Sequence, residues 1–203
     1  MEEEVFQSYL DKYNDVLQQI QQDSHDVHDR VNQNYGVSLP YSYHLDHVAG
    51  AACKYGHLVC QCEDDVLPLI FSAYYHDSIE DARYTYHDVQ RDARQYMTEE
   101  QVTMAAEIVY ALTNEKGRTR AERANERYFA GIRTTPYAPF VKLCDRFANV
   151  VFSSQSCDYN NVRMKMVYAK EMPGCIEAIR TESTDPRLLL PEVMVTDLLA
   201  VLH

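Results

Sequence analysis

Apolar residues recur at three- and four-residue intervals along nearly the whole chain, and that period commits it to helices. In the first segment Phe6, Leu10, Tyr13, Leu17 and Ile20 form one apolar stripe, the signature of a helix with a single buried face. The spacing predicts one long helix over about residues 3 to 34. Gly36 and Pro40 mark a loop over Gln33 to Tyr43, since both residues interrupt regular structure. Helices are then predicted from about Pro40 or Tyr41 through Tyr55, and over about Glu63 to His76.

Thr85-Tyr86-His87-Asp88 reads as an N-cap with a short helix. Thr98-x-x-Gln101 and Thr119-x-x-Glu122 fit capping boxes, in which side chains satisfy the free N–H groups of a helix start. The first box opens Val102 to Leu112, and the second a helix to about Ile132. Pro136 and Pro139 mark a loop before a buried helix from Phe140 to Ser153. Val162 to Arg180 is predicted helical with an interruption near Pro173-Gly174, and a short apolar helix runs from about Glu192 to Leu202. No segment reads as a strand, and 6 Gly with 7 Pro in 203 residues disfavour a turn-rich sheet architecture. The expectation is an all-α, single-domain helical bundle over 1–203, with its core at about 30–180 and a helical tail at about 182–203.

The formal net charge of −12 argues against non-specific binding to a nucleic acid polymer or an anionic membrane surface. No apolar run approaches the about 20 residues of a membrane span. The Met-Glu-Glu-Glu start is acidic, unlike the basic start and apolar core of a signal peptide. Cys53, Cys60, Cys62, Cys144, Cys157 and Cys175 include no C-x-x-C pair. Reduced thiols in a cytoplasm are the expectation.

The residues that carry chemistry cluster in three segments. His76-Asp77 closes an apolar helix, where ionisable groups are rare unless paired or bound to an ion. Glu80 and Asp81 follow within the run His76 to Asp81, about one helical turn on and facing the same space if the helix persists. Tyr41-x-x-His44-x-x-x-Val48-Ala49 puts a histidine early in an apolar helix. Lys142, Asp145 and Asn149 share one polar face of a buried helix. Each element has a plainer reading: a helix-end histidine with a solvated acidic turn, and an Asp145 salt bridge to Arg146 or Lys142.

With those three segments in this order, the chain resembles the HD phosphohydrolase superfamily. More narrowly it resembles the SpoT-type and small stand-alone alarmone hydrolases, which remove the 3′-pyrophosphate of ppGpp. The matching segments are Tyr41 to Ala49, His76 to Asp81 and Lys142 to Asn149, and the resemblance spans about residues 30 to 170. It implies one divalent ion, usually manganese, held by His44, His76, Asp77 and Asp145. Mixed imidazole and carboxylate ligands also admit Fe, Zn, Ni, Co or Mg. His47 is a rival ligand, and His44 is the one that aligns. Glu80 and Asp81 would be the catalytic pair, handling a water activated by the ion and its proton. Asn149 and Lys142 would face the substrate.

Positive charge gathers at Lys116, Arg118, Arg120, Arg123, Arg127 and Arg133, interleaved with Glu115, Glu122 and Glu126. This stretch reads either as a solvated, ion-paired helix or as a phosphate clamp. Thr113 and Asn114 fall where the family has a substrate-facing turn, and Arg163 and Tyr168 where it grips the nucleotide. Two departures stand out. Arg163 and Tyr168 are five residues apart, not four, and the family's basic pair before the first histidine is absent. The implied partner is a small nucleotide. Other HD activities, namely nucleoside monophosphate phosphatase or cyclic-nucleotide phosphodiesterase, and a non-catalytic nucleotide-binding module remain alternatives. The C-terminal helix packs in cis or makes a homodimer contact.

Overall fold

The apolar periods fold as helices in the computed structural model, which describes residues 1–36, 38–155 and 158–202, apart from the side chains of Arg120 and Ala121. Cys157 and the Arg120 side chain therefore lie outside the described residues. The first helix divides in two, α1 (Glu3–Lys12) and α2 (Asn14–Asp29), with the break at Tyr13. The two halves serve different packing groups. Phe6 and Leu10 join the cluster containing Val48 and Tyr55, whereas Ile20 and Val27 pack with Phe71 and Tyr75. The Tyr13 hydroxyl donates to Glu63 Oε1 at 2.5 Å, anchoring the break. A helical stripe in sequence does not reveal that its buried face changes partner.

The predicted loop contains a minimal antiparallel pair, β1 (Asn34–Tyr35) with β2 (Leu39–Pro40), in register Asn34 to Pro40 and Tyr35 to Leu39. Gly36 begins the turn at φ 62°, a left-handed conformation that costs glycine little. A Cβ there would also meet the Phe152 ring at 3.1 Å. This hairpin leads into α3 (Ser42–Tyr55). A 3-10 turn, Glu63–Asp65, precedes α4 (Val66–Tyr75), whose residues are nearly all buried. One-turn α5 (Ser78–Asp81) follows, then α6 (Tyr86–Ala93) and α7 (Glu99–Leu112). Thr85 caps α6 as predicted, in a full capping box with Asp88, and Thr98 caps α7 with the predicted box.

The Thr119 box also forms, with Glu122 N–H donating to Thr119 Oγ1 and Thr119 N–H to Glu122 Oε2. Its helix, α8 (Arg120–Arg123), stops after one turn, and Asn125 caps a separate α9 (Glu126–Thr134). Helix α10 (Ala138–Ser154) matches the predicted buried helix. Helix α11 (Tyr159–Ile179) runs unbroken through Pro173, correcting the expected interruption. Pro173 and Ala169, whose carbonyl loses its helical donor, are both exposed, so water can take the place of the missing N–H. Helix α12 (Glu192–Leu202) closes the fold.

Helix α10 is the hub. It packs against α3, α11, α12, α7, α4 and α9, and Phe140, Val141, Leu143 and Cys144 are fully buried on it. Burying an aliphatic or aromatic side chain of this size contributes about 1.5–3 kcal/mol. The chain is thus an all-α helical bundle, and among the described residues no helix is long and apolar enough to cross a membrane. The arrangement brings the start of α3, the α4–α5 junction and the middle of α10 to one place.

Candidate metal centre

His44 is the third residue of α3, and Asp145 lies in the middle of α10. His76 and Asp77 occupy the junction where α4 ends at Tyr75 and α5 begins at Ser78. Asp77 has left the helical region, with φ −100° and ψ 1°, and its carbonyl accepts from Asp81 N–H at 2.8 Å. The kink lets two consecutive side chains face the same space. It also means that the continuous helix assumed between His76 and Glu80 does not exist.

His44, His76 and Asp145 are all buried, and each offers a ligand atom within 4.8 Å of the others. Asp145 Oδ1 lies 3.4 Å from His44 Nε2 and 4.0 Å from His76 Nε2. Asp77 stands beside this trio, its Oδ2 2.9 Å from His76 Nε2 and 3.7 Å from His44 Nε2. Two ligands each about 2.1 Å from one ion lie at most about 4.2 Å apart, and all four of these separations meet that limit. The His76 ring is oriented for the task. Its Nδ1–H donates to the Ala73 carbonyl at 2.9 Å, which turns Nε2 inward. His76 Nε2 is buried and faces the Asp77 carboxylate at 2.9 Å, so an ion would take the place of the proton between them. The group can hold a metal ion.

His47 is not part of it. Its Nδ1 is tied to the Tyr43 carbonyl at 2.8 Å, and its ring packs on Tyr43 on the outer side of α3.

Electrostatics fix the charge states. Burial pushes the His76 pKa down, but the Asp77 and Asp145 carboxylates overcome this and lift it to about 9. Burial favours neutral carboxyls at Asp77 and Asp145, yet both are held below the ordinary range, by the His76 ring and by the Lys142 ammonium respectively. Lys142 Nζ donates to Asp145 Oδ2 at 2.9 Å in a buried pair, and its own pKa is raised by that carboxylate against the effect of burial. Asn149 Nδ2 donates to the other oxygen, Oδ1, at 2.6 Å.

A polar layer surrounds the ligands. The Tyr41 hydroxyl, with one proton to give, lies 2.5 Å from Asp77 Oδ2 and 3.2 Å from Asp81 Oδ2. The buried His28 ring stacks on Tyr41 at 4.6 Å, and Tyr35 stacks on His44 at 4.8 Å. Glu80 accepts from Asn114 Nδ2 at 2.8 Å to both oxygens and lies 3.7 Å from Arg123. Glu80, Asp81, Asn114 and Arg123 line a cavity of about 250 Å³ over the ligands. An adjoining cavity of about 490 Å³ shares Tyr35, Asn149 and Tyr168 with it.

Not every predicted substrate contact faces these spaces. Asn149 and Tyr168 line both cavities and Arg163 lines the larger. Lys142 lines the smaller but is committed to Asp145. Thr113 turns its hydroxyl back to the Val109 carbonyl at 3.1 Å, and its neighbour Asn114 reaches the site instead. Lys116 and Arg118 are exposed and line neither cavity. Of the basic stretch, Arg123 alone among the described side chains lines the smaller cavity. Arg127 pairs with Glu115 and Arg133 with Glu126. Tyr35 and Tyr41 have no site role in the sequence reading, and Asn114 appears there only as part of the Thr113-Asn114 turn. Tyr41 had a signal, its place in the His44 segment, whereas Tyr35 and Asn114 enter through the hairpin and a helix end. Compared with known proteins, the chain matches no family model and no curated protein.

Proposed function

We propose that this chain is a metal-dependent phosphohydrolase of the HD type acting on a nucleotide, with removal of a ppGpp-like 3′-pyrophosphate as its most specific reading. The observation that carries it is the convergence of His44, His76 and Asp145, with Asp77 beside them, under a cavity lined by Glu80 and Asp81. His44, His76, Asp77 and Asp145 would hold one divalent ion, manganese by resemblance. The ion would acidify a water molecule and polarise a phosphoryl oxygen. Glu80, fixed by Asn114 and placed near Arg123, orients the attacking water and takes its proton. Asp81, which shares the Tyr41 hydroxyl with Asp77, would complete the pair and pass the proton taken from the water on to the leaving oxygen. Arg123 and Arg146, which also lines the cavity, offset substrate charge. The free described cysteines fit a reducing cytoplasm.

The test is pyrophosphate release from ppGpp by metal-stripped protein resupplied with manganese. Release that disappears in Asp77→Ala supports the reading, and no release by folded, metal-loaded protein rejects ppGpp.

A second reading, hydrolysis of a nucleoside monophosphate or cyclic nucleotide, draws on the absence of a basic pair before His44. A substrate panel scoring phosphate and pyrophosphate separately distinguishes the two.

A further inference from the structure

Helix α11 has two apolar faces. The inner one, with Met172, Ile176 and Ile179 buried, packs into the bundle against α10, α9 and α12. The outer one carries Tyr159, Val162, Met166, Ala169 and Pro173, all exposed. Their spacing of three, four, three and four residues is that of a coiled-coil seam. Tyr159 is 81% exposed, Met166 71% and Val162 46%, so the seam lies open rather than grazing the surface. Large apolar side chains grouped this way on a soluble surface mark a contact site more often than scattered ones do.

The charges beside the seam identify the kind of occupant. Between Tyr159 and Lys170, α11 carries Arg163, Lys165 and Lys170 and no acidic residue, in a chain of net charge −12. With Tyr159, Met166 and Pro173 at one seam position and Val162 and Ala169 at the other, these three cations fall at the flanking positions that set partner choice. None of the three has an ion-pair partner among the described residues. A second copy docking symmetrically would set this basic margin against itself.

We propose that the outer face of α11 docks an amphipathic helix of another protein, one with an apolar seam and acidic flanks. The same helix forms a wall of the nucleotide-sized cavity through Met164 and Tyr168, so an occupant of the outer face stiffens a wall of the candidate site. The docking surface itself stands independently of the reaction proposed above.

The test uses the full chain and two labelled synthetic helices, both with Leu along the seam. One has Glu at the flanking positions and the other Lys. Anisotropy titration is expected to show the Glu peptide binding at least tenfold tighter than the Lys peptide, with affinity falling as salt is added. M166E, at an exposed position, is expected to weaken it at least tenfold with unchanged circular dichroism. Lys165→Glu with Lys170→Glu is expected to reverse the peptide preference. Equal binding or no binding of the two peptides overturns the proposal. So does a dimer of the chain alone that M166E dissolves, which would make a second copy the occupant. Retention on anionic vesicles without peptide discrimination would assign the face to a membrane surface and overturn it as well.

Discussion

Lys142 Nζ and Asp145 Oδ2 stand 2.9 Å apart on consecutive turns of α10, both buried. The pair sets the charge of the candidate centre, because Asp145 also faces His44 and His76. In Lys142→Met the carboxylate keeps its place but loses its cation. Breaking one side of a buried pair costs about 3–5 kcal/mol, so urea denaturation of the metal-free variant should show a loss of that order. Saturating manganese should restore part of it, since an ion replaces the missing positive charge. Equal losses with and without metal would show that Asp145 does not face an ion.

Metal binding should be coupled to proton release. The His76 pKa is lifted to about 9 from 6.5, so below that value an ion must displace its proton. Apparent affinity should rise with pH, by up to about tenfold per unit, and level off near pH 9. Calorimetry in buffers of different ionisation enthalpy measures the released proton directly, and a flat affinity from pH 6 to 9 would contradict it.

The metal-free fold should have its own pH profile. A raised histidine pKa adds stability that is complete below about 6.5 and lost as pH rises through about 9. The depressed pKa values of Asp77 and Asp145 add stability present above 3.8 and lost as pH falls below it. Chemical denaturation without metal should therefore give greatest stability between these limits, with a decline on the alkaline side. A profile rising from pH 6.5 to 9 would be incompatible with a protonated His76.

Tyr41→Phe keeps the ring against His28 and removes only the donor to Asp77 and Asp81. Loss of a partner that orients a metal ligand typically costs about 10–100-fold in affinity or activity. Manganese affinity should fall within that range while the melting temperature of the metal-free protein changes little. Unchanged affinity would mean that Asp77 needs no orientation.

Glu80→Gln is isosteric and leaves the metal-ligand set intact. If Glu80 handles the water's proton, turnover should drop by about 10²–10⁴-fold with manganese binding preserved. Asn114→Ala, which removes the amide donor to both Glu80 oxygens and keeps the backbone N–H to Oε2, should give a smaller loss of the same kind. A Glu80→Gln variant that turns over normally removes this residue from the chemistry.

How much of this was legible in sequence depended on the range of the forces involved. The N-cap at Thr85 and the capping box at Thr98 act within one turn, so they were readable and they formed. Helix α10 was readable because its apolar face stays apolar from Phe140 to Val150. The break at Tyr13 was not, since it arises from a tertiary contact with Glu63. The Thr119 box formed, yet it could not say that Asn125 would cap a new helix two residues after the first one ended.

The candidate ligands were legible as residue types, while the choice between His44 and His47 rested on alignment. The fold brings His44 to Asp145 and ties His47 to the Tyr43 carbonyl. Cationic composition misled most. Charge counted along a chain says nothing about direction, and Lys116 and Arg118 point to solvent while Arg123 lines the cavity. Asn114 was missed in its role because an amide reaching across from the end of α7 leaves no period to detect.

The scattering of the ligands along the chain has a kinetic consequence. His44, His76 and Asp145 belong to segments that meet only when α3, α4 and α10 have docked. Closing such non-local contacts comes late and slowly in folding. No early helical intermediate carries the complete ligand set, so the appearance of tight metal binding during refolding would mark the moment when the bundle is finished.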